Sequence, residues 1–215
     1  AAAAKFHSSR NLLIRRNIVR HIRHANAIWL DSGNSNCRIT GNILADVLTV
    51  GAAIHMEMNR NYNQIDNNII WNIRNAEPGT QGQRGAAGSG IFCHATDRLV
   101  VINNLFGQCD TAGFWPTLRP ERSGAGVGSE NVIANNIFTR CGKAAIVFLS
   151  TLNKSDGNLF ASMSEKPLIY LADDKEQPQD LTAWRQFQNW DKNSLAATLK
   201  IDFDPDKLDL TITGD

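Results

Sequence analysis

The feature that most constrains this chain is a repeat. Asn followed by two large apolar residues recurs as NIV at Asn17, NIL at Asn42, NII at Asn68, NLF at Asn104, NIF at Asn136 and NLF at Asn158, at intervals of 25, 26, 36, 32 and 22 residues. Flanking columns agree. Three residues before the anchor stand Ile14, Ile39, Ile65, Val101 and Ile133; five residues after it stand Ile22, Val47, Ile73, Cys109, Cys141 and Met163. Apolar identity kept column by column at a period near 25 means that each copy lies on its neighbour.

Each copy is made of short β-branched runs bounded by Gly and Asn, with no room for a helix, which excludes the helical repeats. The pattern predicts an all-β solenoid of about six coils, a parallel β-helix whose coils stack at about the strand spacing of 4.8 Å. The recurring Asn is expected to form a ladder at an inward turn, each amide bonding to the next. Cys109 and Cys141 share one column and are read first as an interior stack of small apolar residues, with a disulfide as the second reading.

Two intervals exceed the basic period, and the surplus falls in residues 75–89 and 116–130, both Gly-rich. These are loops leaving the coil, expected to wall a site. After Asn158 the repeat fades. The segment DLTAWRQFQNW has helical spacing through Leu181, Trp184 and Phe187, with Asp180 as N-cap. The chain is therefore divided into coils over residues 1–173 and a capping segment over 174–215 that covers the last coil's apolar edge. No comparable cap precedes the first coil, and AAAAKFHSSR has no signal-peptide layout. The start is read as internal, with upstream polypeptide missing or the Ala run standing for unidentified residues.

The strands that follow the anchors are AIWLD from Ala27, AIHME from Ala53, GIFCH from Gly90, GFWPT from Gly113 and AIVFL from Ala145. Alternation turns Ile28, Ile54, Ile91, Phe114 and Ile146 inward, with Leu30, Met56, Cys93, Pro116 and Phe148 two residues on. The outward columns are then Trp29, His55, Phe92, Trp115 and Val147, and Asp31, Glu57, His94, Thr117 and Leu149. Asp31 and Glu57 each lie 11 residues before their anchor Asn, whereas His94 lies 10 before its own, so its register is softer by one residue.

Stacked coils would hold the two carboxylates about 5 Å apart, the separation of a retaining glycosidase. In that chemistry one carboxylate attacks the anomeric carbon and the other protonates the leaving oxygen. Glu57 is assigned as acid/base and Asp31 as nucleophile, with the reverse assignment open and His94 beside them. Trp29, Phe92 and Trp115 offer apolar faces to sugar rings, His55 lines the same face, and Arg119 and Arg122 can meet acidic sugars. The plain alternative is a solvated sheet face. His21, His24, Arg15, Arg16 and Arg20 are read as ordinary surface.

Composition removes other classes. The net charge of +1 gives no bulk attraction for nucleic acid or an anionic membrane, and no apolar run approaches the roughly 20 residues of a membrane helix. The four cysteines form no CxxC pair, which argues against a zinc site, and no phosphate-loop motif is present. No metal or cofactor is expected, apart from Ca²⁺ should the protein be a lyase.

The phrases RITGNIL, QIDNNII, LVVINNLF and NVIANNIF resemble the right-handed, single-stranded parallel β-helix proteins of the pectate-lyase-like superfamily, over about residues 10–170. The tail LTAWRQFQNWDKNSL is similar to segments that close many of them. WLD followed one coil later by HMEMN resembles β-helical glycoside hydrolases of families 120 and 141. In family 120 an Asp nucleophile and a Glu acid/base come from neighbouring coils, which maps onto Asp31 and Glu57. The resemblance implies a glycoside hydrolase acting on a plant or algal polysaccharide, located outside the cytoplasm as a secreted, periplasmic or cell-surface protein. Two other expectations stand beside it. One is a polysaccharide lyase, with Glu57, Asp31 or His94 holding a cation and Lys143, Arg119 or His55 as base; the other is a non-catalytic glycan-binding solenoid such as an adhesin or tailspike piece.

Overall fold

The computed structural model describes residues 1–118, 123–163, 168–172 and 177–214. The chain bends at the same places in every coil, and the backbone says why. The residue before each anchor Asn has a positive φ: Arg16, Gly41, Asn67, Asn103, Asn135 and Gly157. Four residues after each anchor the same holds for His21, Asp46, Asn72, Gln108, Arg140 and Ser162. Left-handed corners favour Gly and Asn, which explains the GN and NN spellings of the repeat.

Between corners run three parallel sheets. Sheet 1 holds Ala2–His7, Asn26–Asp31, Ala52–Glu57, Ser89–His94, Ala112–Thr117, Ala144–Phe148 and Ile169–Leu171, with Gln177–Gln179 added antiparallel. Sheet 2 holds Leu13–Arg15, Cys37–Thr40, Asn63–Asp66, Leu99–Ile102, Val132–Ala134 and Lys154–Asp156. Sheet 3 runs from Ile18–Arg23 through Ile43–Thr49, Ile69–Asn75, Leu105–Cys109, Ile137–Thr139 and Leu159–Ala161 to Leu195–Ala197. The Ala run that opens the chain is part of the first strand of sheet 1, with Ala2 and Ala4 in register with Asn26 and Ile28.

The ladder is continuous. Asn17 N–H donates to Asn42 Oδ1 at 3.0 Å, Asn42 to Asn68 at 2.9 Å, and Asn68 to Asn104 at 3.0 Å. Asn104 then donates to Asn136 and Asn136 to Asn158, both at 3.0 Å. Each Nδ2 joins in, as from Asn68 to Asn104 Oδ1 at 2.9 Å and back to the Ile39 carbonyl at 3.0 Å. Asn158 N–H donates to Ser194 Oγ at 2.8 Å, so the capping segment supplies the terminal acceptor. A buried amide left without these partners would cost about 1–3 kcal/mol.

Inside the coil, Ile28, Leu30, Ile54, Met56, Ile91, Cys93, Phe114, Ile146 and Phe148 are all buried in one core, as their alternation predicts. The fifth column after the anchor is interior as well: Val47, Ile73, Cys109, Cys141 and Met163 belong to that core. All four cysteines are free thiols, so the stack holds and the disulfide reading does not. Phe106, Phe138 and Phe160, two residues past their anchors, stack at 4.9 and 5.8 Å.

Helix Leu181–Gln188 closes the end. Asp180 caps it by accepting from Ala183 N–H at 2.7 Å, and Leu181 and Trp184 are buried, Trp184 against Phe148. Phe187, expected on the same face, is half exposed, with its ring 6.3 Å from that of Trp184. A hairpin of Leu199–Asp204 and Asp209–Gly214, not expected from the repeat, lays Ile201 and Phe203 over Trp71 on the outer face of sheet 3. Gly107 is required there, since a Cβ would fall inside the Trp71 ring.

The ladder makes a stability prediction. Asn68→Ala removes the acceptor of Asn42 and is expected to cost about 2–3 kcal/mol in urea unfolding. Asn17→Ala, at the exposed end of the ladder, is expected to cost less than half as much.

Candidate functional site

Five neighbouring strands of sheet 1 build the site, and their register fixes two rows across its outer face. In the first row Lys5 lies opposite Trp29, Trp29 opposite His55, His55 opposite Phe92 and Phe92 opposite Trp115. In the second, His7 lies opposite Asp31, Glu57 opposite His94 and His94 opposite Thr117. The pairing of Leu30 with Met56 carries Asp31 opposite Glu57 one residue later. His94 therefore belongs to the acidic row despite its shorter distance to the anchor.

A second polar ladder pins the strand ends just beyond these residues. Ser9 N–H donates to Asn34 Oδ1 at 3.0 Å, Asn34 N–H to Asn59 Oδ1 at 2.7 Å, and Asn59 N–H to Thr96 Oγ1 at 3.2 Å. Asn34 and Asn59 also donate to the carbonyls of Asp31 and Leu30. The sequence signal was the 25-residue interval between Asn34 and Asn59. The one-residue difference between DSGN and EMN obscured it.

The rings of the first row stack like plates. Trp29 and His55 are 4.9 Å apart at 14°, His55 and Phe92 4.5 Å apart at 20°, and Phe92 lies 5.1 Å from His94. Lys5 Nζ sits 3.7 Å above Trp29 at one end, and Lys143 Nζ lies 5.1 Å from Trp115 at the other. Such stacking contributes beyond burial alone, by roughly 0.5–1.5 kcal/mol per pair.

Two expectations about this face are corrected. Phe92, expected to offer a ring to sugar, is fully buried, and so is His55. The physical reason is the Gly-rich insertion, which folds down onto the face instead of standing beside it. Ala86 packs with Ala52 and Phe92, Gly85 meets the Trp115 ring, and Trp115 Nε1 donates to the Arg84 carbonyl at 3.1 Å. Trp29 and Trp115 keep partial exposure. In the second insertion Asp97 holds the returning chain, accepting from Val127 and Ser129 N–H at 2.9 and 3.0 Å. Arg119 and Arg122 lie outside the described residues.

The charged groups have contrasting surroundings. Asp31 keeps 18% side-chain exposure and pairs with Lys5 Nζ at 2.8 Å. Partial burial pushes its carboxyl up, but the Lys5 hydrogen bond, the Ser32 N–H and the Lys5 charge outweigh this and hold it at about 2. Glu57 and His94 are buried, with His94 Nδ1 3.8 Å from Glu57 Oε1. Burial, reinforced by His94, pushes His55 down to about 3, so its imidazole is neutral. Among the described residues, neither of its ring nitrogens has a hydrogen-bond partner. His55, Glu57 and His94 each offer a ligand atom, all within 4.8 Å of one another. Lys5 is the residue that sequence reasoning missed; its signal was AAAKFH lying one coil before NAIWLD.

A depressed carboxyl stabilises the folded state above its unfolded value of 3.8, and that contribution fades as pH falls towards about 2. Wild type is therefore expected to exceed Lys5→Met in unfolding free energy by a constant amount, about 1 kcal/mol or less, above pH 4. The difference should shrink between pH 4 and 2 in denaturant titrations.

No curated protein and no solved structure gives a significant match to this chain. The model of a protein family described as "Right handed beta helix region" matches residues 3–175. That span covers all the coils bearing the two rows and most of the chain, so the chain belongs to the right-handed β-helix family.

Proposed function

We propose that this β-helix protein is carbohydrate-active, and that it is a retaining glycoside hydrolase acting on a plant or algal polysaccharide outside the cytoplasm. The observation that carries this reading is the pair of carboxylates on adjacent, in-register strands, one clamped by a lysine and the other buried beside a histidine. Strand spacing brings such groups to about the 5–5.5 Å that favours retention over inversion. The local likeness to glycoside hydrolase families 120 and 141 points the same way.

Asp31, ionised throughout the working range, supplies the nucleophile that attacks the anomeric carbon. Glu57 gives its proton to the leaving oxygen, then takes one from the water that releases the covalent intermediate. His94 orients the Glu57 carboxyl, and the partly exposed rims of Trp29 and Trp115 flank the sugar. Lys5 is a positioning residue, since it keeps Asp31 charged and aimed.

The test is product analysis on polysaccharide libraries with the full chain. New reducing ends with retained anomeric configuration are expected, and Asp31→Asn and Glu57→Gln should each lower kcat/KM by about 1000-fold or more. An unsaturated product absorbing in the ultraviolet would assign a lyase instead, and intact glycan would leave a binding solenoid. Lys5→Met should move the acidic limb of the kcat/KM profile upward, from about 2 towards 3.8, because the lysine no longer depresses Asp31.

A further inference from the structure

Burying an imidazole without giving either nitrogen a partner is costly, because the lost hydrogen bonds to water are not replaced. His55 is such a residue: it is fully buried, held between the Trp29 and Phe92 rings, and among the described residues has no hydrogen bond at Nδ1 or Nε2. Glu57 lies two residues further along its own strand, and the His94 ring, opposite Glu57 on the next strand, lies 5.8 Å away. From this arrangement we propose that His55, Glu57 and His94 form a binding site for a divalent first-row transition-metal ion of the Zn²⁺ type.

The donor set selects the ion class. Two imidazole nitrogens and one carboxylate suit Zn²⁺ and its neighbours, whereas Ca²⁺ asks for six to eight oxygens and Mg²⁺ for water-rich octahedra. The frame suits it too. His55 and Glu57 are two residues apart on one strand and so share its outer face, while His94 stands opposite Glu57 on the next strand. The three donor atoms lie within 4.8 Å of one another. Ligands about 2.0–2.2 Å from a zinc ion stand closer than that, so side-chain rotations of about 1 Å would close the set. Among the described residues, this is the one group of three or more such side chains close enough to share an ion.

Binding at this site stands independently of the hydrolase reading. Where both hold, an occupied site takes the Glu57 carboxylate away from proton transfer, so the ion would act as an inhibitor.

The experiment is calorimetric titration of Zn²⁺ into the full chain after chelator treatment, with Co²⁺ absorption as a second readout of the ligand field. One equivalent is expected to bind, and His55→Phe, which keeps the ring stack, should weaken it about 100-fold or more. Glu57→Gln, close to isosteric, should do the same and serves if the phenylalanine variant fails to fold. Substituting His21, exposed on sheet 3, and His24, exposed in the bend that follows its strand, should change nothing. Absence of stoichiometric binding, or binding that survives both the His55 and the Glu57 change, overturns the site.

Discussion

Everything in this molecule depends on the amide of one asparagine per coil. Its oxygen accepts from the backbone and side chain of the coil before, and its nitrogen donates to the coil after, as Asn68 does between Asn42 and Asn104. A one-residue slip between coils would break several buried hydrogen bonds at once and turn every inward side chain outward. The ladder therefore fixes register along the whole stack, and register decides which residues become neighbours on the surface.

That is how ionisable side chains are gathered here without a local motif. Asp31, Glu57 and His94 are 26 and 37 residues apart in the chain, yet they occupy successive positions of a single row. The strand fixes the direction in which each side chain points, and the neighbouring strand fixes the spacing. Differences within the row come from what lies beside it. Lys5 reaches Asp31 from the first strand, and the insertion after Asn75 buries the aromatic row up to Phe92. One end of the row stays charged and partly open while the middle is buried.

The fold was legible because its signal is repeated. Six anchor asparagines, an inward column of aliphatics and the left-handed corner residues before each anchor all repeat one instruction, and one irregular copy does not spoil it. Single-copy features were harder to read. The clamp on Asp31 comes from the first coil, where AAAKFH places Ala4 at the inward position that later coils fill with Ile or Phe. The placement of His94 needed the backbone, because HAT closes its turn in one residue fewer than DSGN. The Gly-rich insertion was visible as an insertion, but whether it would fence the face or cover it depended on Ala86, Gly85 and Trp115 meeting in space. The absence of paired cysteines argued against zinc, while a histidine–carboxylate set assembled across two coils leaves no linear spacing to find.

The central claim is that Asp31 and Glu57 act as a nucleophile and an acid/base on adjacent coils. The most direct measurement is intact and peptide mass spectrometry of the Glu57→Gln variant during turnover of a glycoside with an activated leaving group. Such a substrate forms the covalent intermediate without acid assistance, while its release, which needs the lost base, is slow. The account predicts accumulation of one glycosyl adduct, carried by the peptide containing Asp31. An adduct on another residue, or continued hydrolysis with no adduct at all, would contradict it.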